Sequence, residues 1–186
     1  GTGAFAMDFI LNNDYTVDEV DALTGPLMGR PKTGTFRLID LVGVDVWVHV
    51  GKNLAPLIPH DKLGQKYLAA EKPRKLMDTL LERKWFGNKT KVGFYKEVRS
   101  DDGKKEFYSL DLNTLEHVPV GKPHFDSVKF AKDVEGLGDR LKVILEAPSA
   151  DKAAKLVKAL TYQGFQYVST IIPEVADTVK PIDDAV

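Results

Sequence analysis

Apolar residues recur at helical spacing along most of this chain, and the breaks between the runs fall on glycine, proline and short polar clusters. Residues 3–12 read as the tail of an amphipathic helix, with Phe5 and Phe9 on one face and Met7, Ile10 and Leu11 filling its sides. No start signal precedes it, which reads as a cut into a longer polypeptide. Thr16 and Glu19 form a capping box in front of Val17, Val20 and Leu23, and Gly25-Pro26 ends that short helix. Phe36, Ile39 and Val42, with Leu38 and Leu41 beside them, predict a helix stopped by Gly43. Val44, Trp47, Val48 and Val50 start the next almost at once, and the set around Trp47 is expected to be core. Residues 67–72 read as loosely helical. Pro73 then suits the first position of a helix whose face is Leu76, Met77, Leu80 and Leu81.

The period changes once. Residues 94–98 and 105–110 are strand-like and flank Asp101-Asp102-Gly103, so a hairpin is predicted there as the one β element. Residues 111–126 read as a surface connection, and Ser127 as the cap of a short helix. Leu137, Leu141, Ile144 and Leu145 predict another helix. The longest is expected over 150–172, striped by Leu156, Leu160, Val168, Ile171 and Ile172 and stopped by Pro173. The fold class is therefore mainly α with one small hairpin.

A shift of 162 residues lays Phe5 on Tyr167, Ile10 on Ile172, Thr16 on Thr178, Val17 on Val179, Val20 on Ile182 and Asp21 on Asp183 without a gap. A repeat divides the chain into a helical domain with its closing hairpin at 1–111, a connection with short helices at 112–149, and the opening helices of a second, truncated copy at 150–186. The stripe of that last helix must be covered, either by folding back on the first domain or by pairing with a second chain as a homodimer.

Composition narrows the function classes. At 186 residues the chain suffices for one well-buried domain. With 26 basic and 27 acidic residues, interspersed, it lacks the field that would hold nucleic acid or an anionic membrane. It has no cysteine, hence no disulfide, thiolate metal site or thiol nucleophile, which is compatible with a cytoplasmic location. Residues 4–11 carry Asp8 and no basic flank, unlike a signal peptide or membrane span.

Candidate chemistry is sparse. His49, His60, His117 and His124 have no metal-ligand spacing, and His49 reads as a hydrogen-bonded structural histidine among apolar residues. Asp40 and Asp45 read either as an acid/base pair or as a helix-end charge and a cap flanking Gly43. Arg30 and Lys32 lie beside Gly29, Thr33 and Gly34, where a helix start could face a carboxylate or phosphate. A basic, glycine-containing turn that only sets the helix angle reads as well.

The run DALTGPLMGRPKTGTFRLIDLVGVD (residues 21–45) resembles the C-terminal domain of the 3-hydroxyacyl-CoA dehydrogenases, most closely the multidomain branch fused to an enoyl-CoA hydratase module. WFGNKTKVGFYK (residues 85–96) resembles the segment that closes that domain. The resemblance implies that Gly29, Arg30, Pro31, Thr33, Gly34, Thr35 and Phe36 line the acyl-CoA side of a cleft against a Rossmann domain. This chain has RPKT where shorter dehydrogenases carry a tighter glycine-proline turn, and Lys91 where the family commonly has glycine. The family's nicotinamide-binding loop and its catalytic histidine–glutamate pair belong to the preceding Rossmann domain. Its active-site asparagine comes from the start of the helix whose tail is 3–12. No catalytic, cofactor or metal residue is thus assigned here, and NAD belongs to the parent protein. The implied role is the acyl-CoA-side and assembly domain of a β-oxidation dehydrogenase, with acyl-CoA and the Rossmann domain as partners. The competing expectation is a non-catalytic helical interaction or dimerisation module.

Overall fold

The computed structural model describes residues 2–100 and 102–184. Asp101, first of the three predicted turn residues, lies outside them. The order is α1 (Thr2–Leu11), α2 (Val17–Thr24), α3 (Phe36–Val42), α4 (Val44–Leu54), α5 (Lys62–Leu68), α6 (Glu71–Glu82), β1 (Tyr95–Arg99), β2 (Lys105–Leu110), β3 (His117–Pro119), α7 (Asp126–Ala131), α8 (Leu137–Glu146), α9 (Lys152–Val175) and α10 (Lys180–Asp183). Short 3-10 turns precede the central loop (Pro26–Met28), follow α4 (Ala55–Leu57) and precede the sheet (Asn88–Thr90). Among the described residues no helix is long and apolar enough to cross a membrane.

The core forms where the helices' apolar stripes meet. Behind the Thr16–Glu19 box, whose two reciprocal bonds are both made, Val17, Val20 and Leu23 are wholly buried. The deep face of α1 is Met7 and Ile10 rather than the predicted Phe5 and Phe9. Those two are half-buried in an aromatic file along its flank, in which Phe5 meets the edge of Tyr67 at 5.1 Å and Phe9 lies 6.2 Å from Tyr15. Helix α6 starts two residues before Pro73, which still sits in the first turn where its missing N–H is not needed.

The β element is larger than the predicted hairpin. β1 and β2 pair antiparallel with Tyr95 opposite Ser109, and β3 adds to the far side of β2 with His117 opposite Leu110. Asp111 causes the extra strand: its carboxylate accepts the Asn113 and Thr114 amides, closing a tight turn in which Leu115 takes a positive φ of 57°.

Helix α9 runs through position 173 to Val175 instead of stopping at Pro173, and Ala176 N–H closes its end on Ile172 O at 2.9 Å. Its N-cap is Asp151, which also takes the hydroxyl of Ser127 at 2.8 Å. Ser127 is therefore buried in the first turn of α7, tying α7 to α9 rather than capping its own helix. From there α9 folds back over α1 and α2. Tyr15 donates to Lys152 O at 2.8 Å, Tyr167 donates to the Asp61 carboxylate at 2.6 Å, and Ala153, Ala154, Leu156 and Val157 are fully buried.

Candidate functional site

The central loop hangs between two fixed points. Gly29 closes the Pro26–Met28 turn with a left-handed φ of 71°, and Gly34 takes a φ of 65° so close to α2 that a Cβ there would stand 2.7 Å from Asp21 Cα. Between them Arg30, Pro31 and Lys32 are exposed, and neither cation forms an ion pair among the described residues. Thr33 is half-buried, its hydroxyl shielded and without a partner among the described residues, and Thr35 shares a 2.8 Å bond with the Thr24 hydroxyl.

The start of α3 does not receive an outside anion. Asp21, at the end of α2, accepts the Thr35, Phe36 and Arg37 amides at 2.8, 2.6 and 2.9 Å and thereby fills the role proposed for a ligand carboxylate or phosphate. Tyr95 adds its hydroxyl to the same carboxylate at 2.8 Å. Burial pushes the Asp21 carboxyl up, and the four donors hold it down. Phe36 is no rim residue. It has no exposed surface and packs on Phe94 with ring centres 4.5 Å apart, because it lies on the face of α3, shared with Ile39 and Asp40, that turns to the core.

Asp40 and Asp45 separate by environment. Asp40 is buried and accepts the amides of Phe94 and Tyr95 at 2.9 and 2.7 Å, with Gly87 and Gly93 pressed against it, so it ties α3 to the sheet. Burial pushes it up to about 6. Asp45 lies in the first turn of α4 and pairs with Lys89, which holds its carboxyl below the usual range. They do not form a catalytic pair. Of the histidines, His49 is exposed on α4 and bonds Asp45 O at 3.1 Å, and His117 lies against Trp85 with the rings tilted and bonds Gly93 O at 2.9 Å. Burial draws the His117 imidazole down, against the pull of its bond to Gly93 O. Lys91, where glycine was expected, has a φ of 61°. That left-handed position explains why glycine would be at ease there.

From the loop an exposed apolar strip runs along α3 and α4 through Leu38, Leu41, Val42, Val46 and Val50. Trp47, expected in the core, is 40% exposed because the deep face of α4 consists of Val44 alone. Its indole instead walls a cleft of about 220 Å³ between α1, α4, α5 and α6. Met7, Val48, Tyr67, Leu68 and Met77 supply most of the apolar lining, with Lys52, Arg74 and Asp78 as its charged members. A Cβ at Gly3 would stand 3.4 Å from Trp47 Cζ2, so the opening turn of α1 forms one lip. The volume exceeds the ~150 Å³ of a dry apolar cavity that takes benzene. Methionine and aromatic walls adapt to varied apolar guests. Sequence periodicity missed this cleft because its residues come from four elements, each reading locally as ordinary core. Among the described residues no cluster of three potential metal ligands exists.

The family described as 3-hydroxyacyl-CoA dehydrogenase, C-terminal domain, matches residues 3–97. A probable 3-hydroxyacyl-CoA dehydrogenase of Bacillus subtilis is 35% identical over 176 residues, covering 95% of this chain and 21% of the relative. A putative fatty acid oxidation complex trifunctional enzyme of Rickettsia felis is 27% identical over 158 residues, 85% of this chain and 20% of its own length. A probable 3-hydroxyacyl-CoA dehydrogenase of Deinococcus radiodurans is 30% identical over 102 residues, 55% of this chain and 28% of its own. No solved structure matches significantly. The chain thus spans about a fifth of the length of the first two relatives.

Proposed function

Because the chain belongs to the 3-hydroxyacyl-CoA dehydrogenase family, by way of that family's C-terminal domain, we propose that it is the acyl-CoA side of an NAD-dependent dehydrogenase acting in fatty-acid oxidation. The observation that carries the reading is the apolar cleft beside Trp47, with the opening turn of α1 at its lip and further exposed apolar residues on α3 and α4. In this reading the acyl chain lies among Met7, Trp47, Leu68 and Met77, where burial of each methylene contributes about 0.8 kcal/mol. Arg30 and Lys32, with Gly29, Pro31, Thr33, Gly34 and Thr35, form the rim that meets the anionic CoA moiety.

The parent reaction oxidises a 3-hydroxyacyl-CoA to the 3-oxoacyl-CoA. This chain's residues do not fit a dinucleotide: the sequence has no G-x-G-x-x-G run, and among the described residues the sheet is antiparallel with no βαβ unit. Its contribution is to exclude water from the acyl side and to orient the substrate, which raises the effective concentration of the reacting carbon. The same reading takes α9 and α10 as the opening of a second domain copy, supported by the register at 162 residues and by the packing of α9 on α1. A cytoplasmic setting agrees with the cysteine-free sequence.

Titration of the chain with a medium-chain 3-hydroxyacyl-CoA, followed by calorimetry and Trp47 fluorescence, tests this. Saturable acyl-CoA binding with no NAD binding is expected, and a Trp47→Phe variant should lose the optical change. Absence of acyl-CoA binding overturns the reading. It would leave the apolar strip as the docking face of a non-catalytic interaction module, the second reading that the exposure of Leu41, Val42 and Val50 favours.

A further inference from the structure

The rim loop is held from outside the matched domain. Helix α8 lies beyond residue 97, yet its first turns sit on the Pro26–Met28 turn. The Arg140 guanidinium donates from Nε to Leu27 O at 3.3 Å and from Nη2 to Pro26 O at 3.4 Å. Leu137 covers Gly29 so closely that a Cβ there would stand 2.6 Å from its Cδ2. The turn makes its own amide bonds, Met28 and Arg30 to Gly25 O and Gly29 to Pro26 O. That leaves the Leu27 carbonyl, and a second lone pair on Pro26, for Arg140. Behind the clamp α8 is anchored by fully buried Ile144 and by the α7–α9 tie through Ser127 and Asp151. A rigid support thus ends one residue before Arg30, an exposed cation.

We propose that Leu137 and Arg140 are positioning residues that set the direction in which Arg30 meets the phosphates of a CoA thioester. This rests on the reading of the loop as the CoA rim. The guanidinium suits the task because its planar fork reaches two successive carbonyls at once, which an ammonium cannot do with the same geometry. Leu137, itself partly exposed, packs over Gly29 and holds the turn against the start of α8.

Two ligands separate positioning from general loosening: a medium-chain 3-hydroxyacyl-CoA, and the same acyl group on pantetheine, which lacks the nucleotide phosphates. In the 186-residue chain, Arg140→Met should weaken acyl-CoA binding by roughly 3- to 10-fold, the scale of one or two lost hydrogen bonds, and leave acyl-pantetheine binding unchanged. Hydrogen exchange at the Met28, Gly29 and Arg30 amides should speed up, and Arg140→Lys should fall between parent and Arg140→Met. Unchanged exchange in Arg140→Met overturns the clamp. Faster exchange with unaltered acyl-CoA affinity overturns the positioning role, provided Arg30→Ala itself weakens acyl-CoA binding. If Arg30→Ala binds acyl-CoA as the parent does, the rim reading fails and the proposal falls with it.

Discussion

Tyr95 donates its hydroxyl to the Asp21 carboxylate at 2.8 Å and so joins the first residue of β1 to the cap of α3, 74 positions away in sequence. One carboxylate thereby sets the angle between α2, the central loop and the sheet. Tyr95→Phe should cost about 1–2 kcal/mol, one part-buried charge-assisted bond. Asp21→Ala should cost more, on the order of 3 kcal/mol, because three helix-start amides lose their acceptor together. Urea unfolding of both single variants and the double variant measures the coupling. Additive costs would show that the contact does not connect the two elements.

Asp40 gives stability a pH dependence of definite sign. Burial raises its carboxyl from 3.8 to about 6, against the pull of the Phe94 and Tyr95 amides and of Arg37. The folded chain then holds this proton more tightly than the unfolded chain. Its contribution is fully present below the unfolded value and is lost as pH rises through about 6. The full swing is on the order of 3 kcal/mol. Asp45, Asp61, Asp111 and Asp151 are shifted down and run in the opposite direction, so the quantity to measure is parent minus Asp40→Asn. That difference should fall between roughly pH 4 and pH 7, and a flat difference would exclude the shift.

Trp47 and Phe36 should respond to truncation in different measures. Phe36→Ala removes a wholly buried ring and should cost about 3–5 kcal/mol in thermal or urea unfolding. Trp47→Ala, from a partly exposed cleft wall, should cost less than about 2 kcal/mol yet weaken acyl-CoA binding in calorimetry. A melting loss at Trp47 as large as at Phe36 would make the indole a structural group after all.

Gln163 on α9 is only 5% exposed, and both its amide atoms are buried without a hydrogen-bond partner among the described residues. Gln163→Leu keeps the volume close and removes the unmet polarity. It should raise the unfolding free energy by about 1–2 kcal/mol. A less stable variant would mean that the amide is bonded in solution.

What the sequence revealed was local. The Thr16–Glu19 box, the Gly43 break and the α8 periodicity each lie within one or two turns of chain, and each holds in the structure. What it hid depends on distant partners. The cap of α3 comes from Asp21 rather than from the nearby Thr33 or Thr35, since the two oxygens of a carboxylate can span three successive amides, which the single oxygen of a hydroxyl cannot. Three residues of β3 carry no strand pattern of their own, and the Asp111 turn delivers them to β2. The stripe around Trp47 marks an apolar face, but periodicity says nothing about what covers it. The candidate loop was legible as a loop. Its support by Arg140 was not, because a single arginine on a later helix has no signal in sequence.

The fold-back of α9 sets an order of events during synthesis. Tyr15 finds its acceptor, Lys152 O, only 137 residues further along. Everything from α1 through the sheet therefore leaves the ribosome with the outer flank of α1 uncovered, and contacts this distant in sequence form late. At about 5–20 residues per second, that flank waits on the order of ten seconds for its cover. A ribosome paused before α9 would hold out an unclosed helical surface. Chaperones that bind exposed apolar chain should therefore meet this protein in that interval and release it once α9 docks.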